Sequence, residues 1–248
     1  MPNGRAPFVV GFARCNEPAA ILSETLEAIA ASSRRPSRIR IIDNGDDPLS
    51  IRTIDAAFMR LEASLNIRIE IYRSDKNRGC AASWNLLHEF GDDAGERQVI
   101  LNADCAVAPD TFEDMLSVPA PTAVLAYGFG CFLIDEEIRQ TVGPFDAEFY
   151  PAYFEDADYR RRMALAGIVP NEWPIVEVDR PAPGRSRAST GITHGSHDPD
   201  GYQGWRGNKL GWFWERYEAN RRRYLAKWGG EPGHETFAEP FDGKILIP

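Results

Sequence analysis

Apolar and polar positions switch between two periods along the first hundred residues. Pro7–Ala13 is a short apolar run suited to a buried strand. Ile21, Leu22, Leu26 and Ile29 then recur at helical spacing, behind a Pro18 placed where a first helical turn tolerates it. Arg38–Asp43 predicts a second strand, closed by the turn signal Asn44-Gly45-Asp46. A helix over Ile51–Leu65 and an alternating strand over Ile67–Tyr72 follow. Asn77–Phe90 predicts a helix whose apolar face is Ala81, Trp84, Leu87 and Phe90. Gln98–Leu101 is a fourth strand, ending in Asn102-Ala103-Asp104. Strands that alternate with helices of this length imply βαβ units, hence an α/β fold with a mainly parallel sheet flanked by helices.

The second half is less regular. It predicts a strand over Phe129–Ile134, a short helix over Asp135–Val142 and a charged helix over Phe154–Ala166. Asp179–Thr193, rich in Pro, Gly, Ser and Arg, predicts a mobile loop, and Asn208–Trp228 a long terminal helix. Met115–Ile134 is uncharged and close to membrane-crossing length. Pro119, Pro121, Gly128 and Gly130 make it read instead as a loop followed by two short strands.

Polar residues gather just after the strands: Asn16 and Glu17, Asp43 and Asn44, Ser74 and Asp75, Asn102 and Asp104. In open α/β sheets, ligands bind outside the carboxyl ends of the strands, so four strand ends predict one site. Neither G-x-G-x-x-G after the first strand nor G-x-x-x-x-G-K-[ST] is present, which removes a dinucleotide fingerprint and a Walker loop. Asp104, the Glu155-Asp156 pair with Asp158, and the pair His194 and His197 are the further candidates for chemistry. A carboxylate and an imidazole brought together suit a divalent ion that keeps positions open for phosphate oxygens. Another carboxylate nearby could accept a proton from an attacking hydroxyl. Each also has a plainer reading, because carboxylates favour helix N-termini.

Composition narrows the classes. The 248 residues carry a net charge of 28 − 37 = −9, which excludes an all-over basic nucleic-acid binder but permits a local basic patch. Cys15, Cys80, Cys105 and Cys131 are too dispersed for a zinc site or a disulfide framework, and read as reduced thiols of a cytoplasmic protein. The terminal helix region sets Arg206, Lys209, Arg216, Arg221, Arg222, Arg223 and Lys227 against Glu215 and Glu218, a balance of 7 − 2 = +5. With Trp212, Phe213, Trp214 and Tyr217, it suits either contact with an anionic inner-membrane face or nucleic acid, or a helix docked by its aromatics.

The order of segments resembles glycosyltransferase family 2, inverting enzymes of GT-A fold that use nucleotide sugars, and within it bacterial rhamnosyltransferase-like members. V-V-G-F-A-R-C-N-E resembles the first strand and nucleotide loop, and I-I-D-N-G-D-D the second strand with its base-binding aspartate. N-R-G-C-A-A-S-W-N resembles a family helix start, and L-N-A-D-C the D-x-D position, with Asn102 in place of the first acid. The most specific match is G-P-F-D-A-E-F-Y-P-A-Y-F-E-D-A-D-Y-R-R-R, similar to the family's G-x-F-D-E-x-F-F-x-x-x-E-D-x-D-x-x-x-R block.

The resemblance implies a GT-A, Rossmann-like domain over residues 7–205, after a flexible start at 1–6 and before a terminal helix and tail at 206–248. Its nucleotide half would cover about 7–105 and its acceptor half about 106–205. It implies that Asp43 reads a uracil or thymine, with Ala13, Asn16, Glu17, Asn77, Arg78, Gly79, Asn102 and Ala103 around the nucleotide. Asp104 and His194, with His197 as competitor, would hold Mn²⁺ or Mg²⁺. Asp156 would be the general base, with Glu155 orienting it or binding acceptor, and Trp84 or Trp173 would stack on a sugar if not part of the core. The implied reaction moves a sugar from a UDP- or dTDP-linked donor to a hydroxyl of a glycan or lipid-linked glycan. A modified DNA base as acceptor, or a non-catalytic sugar-nucleotide-binding module, is the alternative.

Overall fold

A computed structural model describes residues 6–15, 17, 19–45, 55–56, 58–59, 62–63, 67–91, 95–175, 177–179, 185–188, 191–195 and 210–243. Strand β1 (Phe8–Arg14) lies inside a seven-stranded sheet, parallel to both β2 (Arg38–Asp43) and β4 (Arg97–Asn102). β3 (Arg68–Arg73) extends the sheet beyond β2, also parallel. On the other side, β7 (Cys131–Ile134) runs antiparallel to β4 and β6 (Ala123–Phe129) antiparallel to β7, while β8 (Asn171–Glu172) pairs parallel with β6. The order is therefore β3-β2-β1-β4-β7-β6-β8. The chain goes one way from β1 to β2 and returns past it to β4, which makes the β1/β4 edge a topological switch point.

Two apolar layers follow from the period of two along buried strands. Phe8, Val10 and Phe12 of β1, with Val99 and Leu101 of β4, face helix α1 (Ala19–Ala31) through Leu22, Leu26 and Ile29. The opposite face gathers Ile100, Phe132 and Ile134 against helix α2 (Cys80–Gly91), which contributes Ala81, Trp84 and Leu87. Helix α3 (Thr111–Ser117) joins the first layer through Phe112 and Met115. The short α4 (Glu136–Val142) and α5 (Glu155–Leu165) flank the second, where Tyr159 and Met163 of α5 are buried.

Several boundaries differ from the sequence reading. Residues 77–79 precede α2 rather than open it, because Gly79 takes a left-handed φ of +80°. Residues 115–117 of the uncharged stretch close α3, and Phe129 ends β6, with Gly130 turning the chain into β7. The predicted loop over 179–193 is strand in part. β9 (Glu177–Asp179), β10 (Arg185–Ala188) and β11 (Thr193–Gly195) form an antiparallel ladder that ends on β5 (Cys105–Ala106). In the expected helix over 51–65, residues 55–56, 58–59 and 62–63 are helical and the others lie outside the described residues.

Helix α6 (Leu210–Trp228) is docked rather than free. Tyr224 and Trp228 are fully buried against Phe149 and Phe154. Its positive charges are partly matched: Arg223 and Lys227 reach Asp146 at 3.2 and 2.8 Å, and Arg221 meets Glu231. The docked-helix alternative thus describes this end of α6; Trp214, Arg216 and Arg222 are exposed, and Arg206 and Lys209 lie outside the described residues. Among the described residues no helix is long and apolar enough to cross a membrane.

His88 gives the core an acid-sensitive point. Its ring lies parallel to Phe145, with centroids 6.2 Å apart, on the inward face of α2. Burial, helped by the nearby Arg139 charge, pulls its pKa from 6.5 down to about 3. The unfolded chain therefore binds the proton more readily, and the stability contributed by neutral His88 is complete above pH 6.5 and lost as pH falls toward 3. By pH 4 the loss is on the order of 3 kcal/mol. His88→Leu should flatten this part of the stability profile in urea titrations between pH 7 and 4; an unchanged slope would assign the acid sensitivity elsewhere.

Candidate active site

The carboxyl ends of β3, β2, β1 and β4 carry the polar residues that the sequence singles out. At the first three ends, Arg73, Asp43 and Arg14 occupy one register row across three parallel strands. Asp43 is only 2% exposed; its Oδ1 lies 3.0 Å from Arg14 Nη1 and accepts the Gly45 N–H at 3.0 Å, and its Oδ2 lies 3.5 Å from Arg73 Nε. The expected base-reading carboxylate is thus already engaged by two arginines. Arg14 was not among the predicted site residues. Its guanidinium is fully buried, and Nε also faces Glu17 Oε2 at 3.8 Å. A charged residue closing an otherwise apolar strand was the available signal.

Glu17 accepts the Cys15 N–H at 2.6 Å. Burial pushes its carboxyl up to about 7; hydrogen bonds from the Glu17 and Cys15 backbone and the Arg14 charge oppose that rise, and the nearby Asp104 charge adds to it. The charges of Glu17 and Asp104 therefore interact. Asn16 and Pro18 lie outside the described residues. Ala13 is half-buried against the second core layer. Ala103 belongs to the core, and its carbonyl accepts the Thr25 hydroxyl at 2.8 Å. It therefore fixes the loop that carries its neighbours. Asn102 is half-buried, and its N–H donates to Gly130 at 2.9 Å.

The segment before α2 is built from side-chain turns. Asn77 Oδ1 accepts the Gly79 N–H at 2.8 Å, and Asn77 Nδ2 approaches Cys15 Sγ at 3.3 Å. Asn44 Oδ1 accepts the Arg78 N–H at 3.2 Å, while Asn44 Nδ2 donates to Ser83 at 2.9 Å. These bonds tie the β2 end to the α2 start and leave Arg78 exposed, with Nε on Ser74 at 2.7 Å. A Cβ on Gly79 would sit 2.8 Å from the Pro151 carbonyl oxygen and 2.9 Å from Tyr150, and Cys80 N–H donates to that same carbonyl at 2.7 Å. Gly79→Ala is expected to cost about 1–3 kcal/mol from the positive φ alone. A lower Tm checks it, and a Tm equal to the parent's would show that the loop yields.

Tyr153 and Phe154 also have positive φ, 78° and 72°, immediately before α5. Such backbone persists where surroundings hold it, here the burial of Phe154 against Tyr217 and Tyr224. The turn delivers Glu155 and Asp156 in opposite ways. Asp156 stays half-exposed, with Oδ1 accepting the Ala157 N–H at 2.7 Å. Glu155 is buried; desolvation and the neighbouring Asp156 charge push its pKa well up, against a hydrogen bond from Cys80. It is closed to an acceptor, which corrects the acceptor-contact expectation. Asp158 is fully buried against Arg162, Lys227 and Trp228.

Trp84 corrects the sugar-stacking expectation. It is 3% exposed and packs edge-on to Phe132 and Phe145 at 5.1 and 5.0 Å. Trp173 is half-buried against the first core layer.

His194 is placed by backbone pairing: the β11–β5 ladder sets it opposite Cys105, the residue after Asp104. His197 lies outside the described residues. Among the described residues no group of three or more His, Cys, Asp or Glu side chains forms a metal cage.

A family model described as glycosyl transferase family 2 matches residues 13–129. That segment is similar to glycosyl transferase family 2. The match begins in β1 and ends in β6, so the matched segment contains all four polar strand ends. The fold is also similar to a mannosyltransferase from Pyrobaculum calidifontis, solved with GDP-Man and Mn²⁺, at TM-score 0.55 and 18% identity over 70% of this chain. TarS of S. aureus is similar at TM-score 0.51 and 12% identity over 92% of this chain. These likenesses carry the fold. The chain spans 56% and 41% of the lengths of these two proteins. No curated protein sequence matches it.

Proposed function

We propose that the chain transfers a sugar, with inversion, from a nucleoside diphosphate sugar to a hydroxyl acceptor, a carbohydrate or lipid-linked glycan. The observation that carries this reading is the β5–β11 pairing, which sets His194 opposite Cys105, the residue after Asp104, within the segment matched by the glycosyl transferase family 2 model. One carboxylate and one imidazole do not enclose an ion; they suit Mn²⁺ or Mg²⁺ that also takes phosphate oxygens. Asp104 and His194 would hold it, and when bound it supplies positive charge to the departing diphosphate.

The remaining chemistry belongs to the chain. Asn77, Arg78 and Gly79 border the nucleotide, with the exposed Arg78 guanidinium available to a phosphate. Asp43, at the β2 end, is the base-side carboxylate of a UDP- or dTDP-linked donor. Asp156, presented on the first turn of α5, accepts the proton of the acceptor hydroxyl. That oxygen bonds to the anomeric carbon as the bond to the diphosphate oxygen breaks, and a single displacement inverts the centre.

A thermal-shift series with UDP, dTDP, GDP and CDP, each with and without Mn²⁺, tests the donor site. Ligand at about 100 times its Kd adds roughly 2.7 kcal/mol, or about 5–10 °C for a chain of this size. The expected result is a shift with UDP or dTDP that needs the metal and is lost in Asp104→Ala. A folded sample that shifts with no nucleotide would overturn the assignment.

A further inference from the structure

Arg14 stands at the centre of a line of alternating charge that crosses the candidate donor site. Arg73, Asp43 and Arg14 form the register row at the ends of β3, β2 and β1, and Glu17 follows on the loop beyond. The Arg14 side chain is 0% exposed, its Nη1 3.0 Å from Asp43 Oδ1 and its Nε 3.8 Å from Glu17 Oε2. Arg73, by contrast, is 46% exposed and also meets Asp55. Solvent screens Arg73, so the buried guanidinium is the stronger field on Asp43.

We propose that Arg14 is a positioning residue of the donor pocket: it fixes the carboxylates of Asp43 and Glu17, and through them sets both the affinity for nucleoside diphosphates and the choice of base. This rests on the transferase reading above. A planar guanidinium on a buried stem can face two carboxylates at once, whereas an ammonium is a single point charge. Fixing Asp43 holds the base-side acceptor at the β2 end. Fixing Glu17 holds a second carboxylate, one whose charge interacts with that of Asp104. One side chain thereby faces both the base-side carboxylate and the carboxylate coupled to Asp104. A neutral residue at position 14 would leave two carboxylates, 2% and 9% exposed, without that charge between them, and each would turn toward water.

The test compares the full-length parent with Arg14→Lys and Arg14→Met, using calorimetric titration of UDP, dTDP and GDP in the presence of Mn²⁺, with Tm recorded for each. Arg14→Met should weaken binding of the preferred diphosphate by roughly 10-fold to 100-fold and narrow the gap between preferred and disfavoured bases. Arg14→Lys should recover part of both. A purely structural brace would lower Tm while leaving the affinity ratio among bases as in the parent, and that outcome overturns the proposal. If Arg14→Met does not fold, Arg14→Lys decides: affinity and base ratio equal to the parent's also overturn it. A parent protein that binds none of the three diphosphates fails earlier, at the transferase reading itself.

Discussion

Asp156→Asn is expected to lower kcat by roughly 10²- to 10⁴-fold while donor binding stays at the parent value. The two carboxylates of the turn are separated by environment. Glu155 points into the protein, where burial and the neighbouring Asp156 charge favour its neutral form. Asp156 remains half-exposed at the start of α5. A group that must take a proton from an acceptor hydroxyl has to be reachable and ionised, and of the pair Asp156 is the reachable one. Asparagine is nearly the same shape and can keep the oxygen that accepts the Ala157 N–H at 2.7 Å, so the turn should hold. It removes the proposed proton acceptor and little else. Turnover with a UDP- or dTDP-sugar, set beside the UDP titration, checks the split. Equal turnover in Asp156→Asn would remove Asp156 from the role of base; loss of nucleotide affinity together with turnover would make it a binding residue.

The sheet was legible because buried strands announce themselves. Arg38–Asp43 matches its predicted span, and Phe8–Arg14 and Arg97–Asn102 differ from theirs by one residue at each end. The loop over 179–193 was not legible, since short strands rich in Arg and Ser have no apolar alternation. What makes Arg185–Ala188 a strand is pairing with β9 and β11, a long-range property no local window contains. That ladder is also what brings His194 to the end of β4, so the sequence could name the residue but not its neighbour. Trp84 was legible as core. A tryptophan at helical spacing on an apolar face is more often core than ligand, and the ring cluster with Phe129, Phe132 and Phe145 puts it there. Arg14 was missed because a strand-terminal arginine ordinarily reaches water; its burial depends on Asp43 arriving on the adjacent strand in the same register.

Asp158→Ala should destabilise the protein by about 3–5 kcal/mol, lowering Tm by roughly 6–20 °C, with turnover per folded molecule near the parent value. Asp158 belongs to the same acidic run as Asp156 but faces the other way. Its carboxylate is fully buried, with Oδ2 accepting from Arg162 Nε at 2.9 Å and Oδ1 meeting Trp228 Nε1 at 2.9 Å and Lys227 Nζ at 2.6 Å. It therefore fastens the end of α6 to the start of α5. Lys227 also reaches Asp146, whose carboxyl is held below the usual range by Lys227 and Arg223 despite the upward pull of burial. Deleting Asp158 leaves the Trp228 indole and the Arg162 guanidinium to find other acceptors in a closed space. Removing one member of such a set costs far more than the net worth of the pair, because the remaining charge stays desolvated. Asp158→Asn should be milder, since it keeps an acceptor for the indole while losing the charge that faces Lys227. The acidic run thus divides along the helix, position 156 half-exposed where the proposed base belongs and position 158 turned toward attachment of the terminal helix. A Tm unchanged in Asp158→Ala, with activity abolished, would reverse that division.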